Sequence, residues 1–200
     1  MEQKQVIISI GREFGSAGHE IAEKIAKKLE LPIYDYNLLR EIAGEKNVNV
    51  ANLEPYDEVP KKGFGYRTVR GYSNSPQENI AYMQFEFLKK KASEGESFVV
   101  VGRCSEECLK EYKNLITIFI IGDMETKVAR IMKLHNLSEK DAKEMVIEQD
   151  KKRKAYHNYF CVGKWGDSRN YELSINSSRL GLEGTTELLE DYINKRMQTL

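Results

Sequence analysis

VIISIGREFGSAGHEIAEKIAKKL, residues 6–29, is three elements in succession. Val6–Ile10 is a short, β-branched apolar run of the kind that fills a buried parallel strand. Gly11–Gly18 is a turn rich in glycine and serine. Then Ile21, Ala22, Ile25, Ala26 and Leu29 recur at helical spacing, with Glu23, Lys24, Lys27 and Lys28 on the other face. A glycine turn between a strand and a helix presents backbone N–H groups to an anion, and the helix dipole adds to the attraction.

Such a turn invites comparison with the P-loop pattern G-x-x-x-x-G-K-[ST]. If Gly15-Ser16-Ala17-Gly18 matches the end of that loop, Gly18 stands where Lys is expected. His19 and Glu20 then stand where hydroxyls are expected. The alternative is a tight βα turn whose glycines serve only backbone geometry.

Outward from this opening, Ile33-Tyr34 is a second strand ending at Asp35. Residues 45–74 have weak periodicity and many breakers, among them Pro55, Pro60, Gly63, Gly65 and Gly71. They are read as a mobile, irregular, substrate-covering segment. Ser75-Pro76-Gln77-Glu78 signals a helix start, with a serine cap and proline at the first helical position. Ile80, Met83, Phe87 and Leu88 give that helix its inner face. Phe98–Val101 and Ile116–Ile121 are further buried strands. Helices are expected over Met124–His135 and Glu139–Tyr159, the second capped by Ser138 with Asp141. Tyr171–Ile175 makes a fifth strand. Thr185 is expected to cap a last helix with Leu188, Leu189, Tyr192 and Ile193 inward. Strands alternating with helices imply an α/β fold with a five-stranded parallel sheet covered on both faces. Ligands of such sheets bind at the carboxyl ends of the strands, where every candidate below falls.

Two hundred residues suit one domain. The formal net charge is zero, so bulk electrostatic binding to nucleic acid or an anionic membrane is not expected. Cys104, Cys108 and Cys161 are too few and too uneven for a secreted disulfide framework and read as reduced cytosolic thiols. No apolar run is long enough to span a bilayer, and no secretory signal is evident, so a cytoplasmic setting is expected.

Three stretches together resemble the cytidylate kinase-like family, a divergent branch of the nucleoside monophosphate kinases. They are ISIGREFGSAGHEIAEKIAKKLELPIYDYNLL near the start, which holds both the glycine turn and the strand end at Asp35, VVVGRCSEECL after the third strand, and YELSINSSRLGLEGTTELLEDYI near the end. The resemblance implies a P-loop kinase-type domain over 1–200, with 36–80 as an acceptor-binding insertion and 136–168 as a helical lid. It implies ATP as donor, carried with Mg2+, and a small nucleotide as acceptor. Phosphoryl transfer between nucleotides is largely positioning and charge neutralisation, for which arginines and a metal are the natural tools.

On that resemblance Arg12, Gly15, Ser16, Ala17, Gly18, His19 and Glu20 face the nucleotide phosphates, and Asn176 and Ser177 border the adenine. Arg12, His19 and Lys24 are candidates to replace the missing lysine. Glu20 is awkward beside phosphate unless a cation lies between. Arg103 matches the family arginine that contacts the acceptor, with a structural pairing to a carboxylate as its alternative. Asp35 matches an acidic acceptor or metal position, or caps the following helix. Arg40 sits one residue short of a family arginine on the acceptor phosphate. Asp150 and Arg153 resemble the lid motif in which the arginine reaches across both phosphates, and Arg130 is a second lid-base arginine. Each of the three can instead be a solvated helix charge. Cys104 and Val101 replace two family aspartates, one reading the base and one organising magnesium. Tyr156, Tyr159, Phe160 and Trp165 either cover a base or pack the lid. His135 and His157 are read as ordinary surface or packing residues.

Three functions follow: an ATP-dependent kinase for a nucleoside monophosphate or similar small phosphate acceptor; a nucleotide-binding pseudokinase or sensor; and a related phosphotransferase with a non-nucleotide acceptor.

Overall fold

A computed structural model describes residues 5–46, 51, 57, 68–69, 72–73 and 75–200. The main sheet has five strands: β1 (Ile7–Arg12), β2 (Ile33–Tyr34), β5 (Phe98–Val101), β6 (Leu115–Ile121) and β7 (Leu173–Asn176). Their order is β2-β5-β1-β6-β7, and every pair is parallel. The expected architecture is therefore the observed one, with β1 central. A two-stranded antiparallel ribbon, β3 (Thr68–Val69) with β4 (Tyr72–Ser73), is a feature the sequence did not announce. Of the rest of the segment read as irregular, residues 45–46 end α2 (Leu38–Lys46), and all but residues 51 and 57 of the remainder lie outside the described residues.

The alternation along β1 explains why both faces are covered. Ile8 and Ile10 point to one side and Ile7 to the other, because strand side chains alternate. On the first side they pack with Val99, Val101, Ile118 and Ile120 against α1 (Gly18–Lys28) and α7 (Ser177–Met197). On the second, Ile7, Phe98 and Val100 pack against α2 (Leu38–Lys46) and α3 (Pro76–Ser93). All these strand residues are fully buried, and at about 25 cal/mol per Å² they supply most of the drive to fold.

The short α4 (Ser105–Cys108) follows β5. Next come α5 (Met124–His135) and the long α6 (Glu139–Phe160), which share a small core of Val128, Ile131, Ala142 and Val146. Phe14 from the glycine loop packs against that core. The caps read from sequence are present: Ser75 accepts from the Glu78 amide, and Ser138 from the Asp141 amide.

The last helix departs from expectation. It starts at Ser177, where the Asn176 side chain accepts from the Ser178 amide. Gly181 (φ 68°, ψ −173°) breaks it, and Thr185 lies fully buried inside it instead of capping it. Asn176 caps because it leaves the strand in extended geometry with its carbonyl oxygen over the first turn. Leu188 is also exposed, while Leu189 and Ile193 face inward as expected. Among the described residues, no helix is long and apolar enough to cross a membrane.

Candidate active site

The loop between β1 and α1 is closed by its own hydrogen bonds. The Glu13 amide donates to the Ile120 carbonyl (2.9 Å), carrying the chain one residue further along β6. The Ser16 hydroxyl donates to the Glu13 carbonyl (2.8 Å). Gly15 (φ 81°) and Ala17 (φ 62°) are left-handed, which turns the chain into α1. Gly18 permits a close approach, since a Cβ there would lie 2.6 Å from Arg12 Cβ. Ala17, at the helix cap, has no side-chain acceptor, and the Gly18 amide of the first turn donates to the Ser16 hydroxyl (3.3 Å).

A buried ion network holds the loop from behind. Lys127 of α5 is 3% exposed, and its Nζ lies 3.0 Å from Glu13 Oε2 and 2.7 Å from Asp150 Oδ2. The Gly122 amide donates to the same Glu13 oxygen (3.1 Å), and the Phe14 amide donates to Asp150 Oδ1 (2.6 Å). One buried ammonium thus faces two carboxylates that also accept backbone amides. This is the arrangement that makes a buried charge tolerable.

In front of the loop is a cavity of about 160 Å³ lined by Arg12, Gly15, Ala17, Gly18, His19, Glu20, Arg130, His135 and Arg153. Arg130 pairs with Glu20 and supplies the cation that this carboxylate needs beside an anion site. Arg153 donates to the Arg12 carbonyl (3.3 Å), and its guanidinium lies 5.4 Å from the centre of the Phe14 ring.

Arg12 and Arg153 also line a second, smaller cavity of about 20 Å³, with Arg103, Cys104, Glu106, His157 and Trp165. Arg103 (φ 59°) and Cys104 (φ 51°) are consecutive non-glycine residues in the left-handed region, a strained turn directly after β5. Buried Arg103 donates through Nη2 to the Asp35 carbonyl (3.2 Å) and pairs with Asp57 Oδ2 (2.8 Å). Gln84 Nε2 donates to the other Asp57 oxygen (2.9 Å). Asp35 Oδ1 accepts from the Asn37 amide (2.8 Å), the helix-entry role, while Oδ2 faces His19 Nε2 at 3.3 Å. Glu23 Oε1 lies 3.3 Å from the same His19 nitrogen.

Beside Arg103, the side chains of Glu106, His157, Cys161 and Cys104 converge. His157 Nε2 contacts Glu106, and the Cys161 thiol is hydrogen-bonded to Cys104 and His157. Burial pushes the His157 imidazole down, but its bonds to Cys161 and Glu106 outweigh this and raise it. The Cys104 hydrogen bond holds the Cys161 thiol below the usual range against its burial, with help from His157. Cys108 is pushed up by burial.

The structure therefore brings Arg12, Gly15, Ala17, Gly18, His19, Glu20, Arg130 and Arg153 to one cavity. Arg103 joins Arg12 and Arg153 at the second. Ser16 turns its hydroxyl into the loop. Asp150 sits behind the loop, on Phe14 and Lys127. Asn176 donates to Asp123 (2.8 Å), and Ser177 donates to the Ser16 carbonyl (2.7 Å), so both buttress the loop from the β7 side. Arg40 is exposed on α2 and lines neither cavity. Tyr156 and Phe160 pack with Ala81, Phe85 and Cys161, and Trp165 packs edge-on to Phe119. His157, read as ordinary, is buried against a carboxylate. Lys127, Glu13 and Asp57 carried no local signal, because their partners are far away in sequence.

A glycine loop at the end of a central parallel strand, with arginines gathered over it, defines a P-loop kinase-type protein. The chain belongs to the cytidylate kinase-like family, whose family model matches residues 7–179. It is similar to the crystal structure of an uncharacterized protein from Eubacterium ventriosum: 39% identity, TM-score 0.76, covering 95% of this chain and 99% of that one. Shikimate kinase from Bacteroides thetaiotaomicron shares the fold at 14% identity and TM-score 0.56, covering 94% and 98% of the two chains. A gluconokinase from Sinorhizobium meliloti does so at 10% identity and TM-score 0.56, covering 100% and 97%. No match was found among curated proteins.

Proposed function

We propose that this chain transfers the γ-phosphoryl group of ATP to a nucleoside monophosphate or a similar small phosphate acceptor. One observation carries the reading: Arg12 and Arg153 line both the cavity over the glycine loop and the cavity at Arg103. A group passing from a donor over the loop to an acceptor at Arg103 would pass the two arginines that both cavities share. The acceptor phosphate is already largely an oxyanion near neutral pH, its second pKa being about 6. The protein's task is then orientation and charge neutralisation. Arg130, held by Glu20, would complete the donor side. Residues 36–80 would cover the acceptor, and 136–168 would act as the lid that carries Arg153.

Magnesium fits the oxygen donors at this edge. Asp35 and Glu23 each offer a carboxylate oxygen within 4.8 Å of the other and of His19 Nε2, and magnesium is commonly held by one or two carboxylates together with substrate phosphates. When bound it would neutralise charge on the donor phosphates. Asp35 is fixed by its bond to Asn37, so its second oxygen is aimed and not mobile.

A nucleotide-binding protein without transfer activity is the second reading. The observation in its favour is the helix start, where Gly18 stands at the lysine position and the ring of His19 is engaged by Glu23 and Asp35. A panel of labelled-ATP assays over nucleotide and non-nucleotide acceptors separates these readings. Transfer to a nucleoside monophosphate supports the proposal. Transfer only to a non-nucleotide acceptor replaces the acceptor class, and ATP binding without any transfer favours the sensor.

A further inference from the structure

Glu106, His157 and Cys161 take no part in the proposed transfer, yet among the described residues their metal-ligating side chains converge away from the loop. They arrive from two places in the chain. Glu106 stands in α4, after the left-handed turn at Arg103-Cys104. His157 and Cys161 stand four apart at the end of α6, where the Cys161 amide donates to the His157 carbonyl (2.8 Å). That spacing places both side chains on one helix face. A ligand atom from each of Glu106, His157 and Cys161 lies within 4.8 Å of the others. Ligands sharing a tetrahedral zinc ion, with bonds of about 2.0–2.3 Å, sit roughly 3.3–3.8 Å apart. Those spacings fall inside the 4.8 Å within which the three atoms already lie.

We propose that Glu106, His157 and Cys161 bind a divalent transition ion of the zinc class. The donor chemistry sets the class. A thiolate and an imidazole suit zinc, whereas magnesium and calcium select oxygen. The surroundings suit a structural ion: Cys104, His157 and Cys161 are buried, and the Glu106 side chain is 8% exposed. The other ring nitrogen of His157, Nδ1, lies 3.3 Å from Asn158 Oδ1, the outer partner that orients a ligating imidazole. The small cavity lined by Cys104, Glu106 and His157 offers a way in. Cys108, whose thiol donates to the Ser105 carbonyl (3.8 Å), is not a member. The ion ties the end of α6 to α4, after β5. His157 is one helical turn beyond Arg153, and Glu106 is three residues beyond Arg103, so the ion fixes the spacing of the two arginines.

The site does not depend on the phosphoryl-transfer reading, and its test reads metal alone. Reduced full-length protein, freed of metal by chelation, is titrated with cobalt(II), and zinc is then added in competition with a chromophoric chelator. One equivalent of cobalt should bind with a thiolate-to-cobalt charge-transfer band, and zinc should displace it. Cys161→Ser and His157→Gln should each weaken zinc binding by at least the roughly 10–100-fold that losing an outer partner costs. Cys108→Ser should leave it unchanged. Should Cys161→Ser fail to fold, thiol alkylation of the wild type decides: one equivalent of zinc must slow modification of Cys161 relative to Cys108. No cobalt band, undiminished zinc binding in both variants, or equal alkylation with and without zinc overturns the site.

Discussion

Asp150, near the middle of α6, accepts the backbone amide of Phe14 in the glycine loop at 2.6 Å, across 136 positions of sequence. Its second oxygen holds Lys127, which also holds Glu13. The helix α6 and the loop are therefore one hydrogen-bonded unit, and Arg153, three residues further along α6, is placed by the same contact that shapes the loop.

Lys127 supports this unit, so removing its charge should destabilise the protein. Lys127→Ala leaves Glu13 and Asp150 facing each other without a cation. Breaking a buried pair costs about 3–5 kcal/mol. The partial exposure of the two carboxylates puts the expected loss near the lower end. Urea unfolding measures it. A loss well under about 1 kcal/mol would mean that the network does not hold the loop.

The loop should lose its ligand when its backbone is distorted. Gly15→Val places a branched residue at φ 81°, where even a Cβ would lie 3.1 Å from the Lys127 carbonyl. Gly18→Val collides with Arg12. Each lost amide contact to a phosphate is worth roughly 1.5–3 kcal/mol, so ATP affinity by calorimetry should fall about tenfold or more. Unchanged affinity in folded variants would reduce the loop to a turn.

Arg103→Ala should act on acceptor use before it acts on stability. Arg103 is paired with Asp57, so the variant strands a partly buried carboxylate and some stability is lost with it. A phosphate contact by a buried guanidinium is worth roughly 1.5–3 kcal/mol, and acceptor kcat/KM should drop by one to two powers of ten. Asp57→Asn, which frees the guanidinium, should keep more activity than Arg103→Ala. If Arg103→Ala unfolds while acceptor binding per folded molecule is intact, the arginine is structural only.

The sheet was legible because its signals are local. VIISI and FVVV are buried on both faces, and Ser75-Pro76 and Ser138 cap the helices they precede. The glycine loop and the arginines over it were legible because each follows a strand end or sits at helical spacing. What escaped was non-local. Lys127, Glu13 and Asp150 come from three separate elements, and no spacing rule connects them. His157 read as an ordinary surface or packing residue because Glu106 lies 51 positions away. Thr185 read as a cap because a threonine before an apolar helix usually is one. Asn176, nine residues earlier, took that role and Gly181 absorbed the break.

The most direct measurement of the account is single-turnover transfer of labelled γ-phosphate from ATP to a nucleoside monophosphate, by wild type and Arg153→Ala, beside ATP binding by calorimetry. Arg153 contacts the Arg12 carbonyl and the Phe14 ring and lines both cavities, and the proposed function assigns its charge to the transferring group more than to bound ATP. An arginine in that role is worth about 10³-fold or more in rate. The expected result is measurable transfer by the wild type, a rate lower by about that factor in the variant, and ATP affinity changed little. Equal transfer by the two proteins, or none by either with any acceptor, would contradict it.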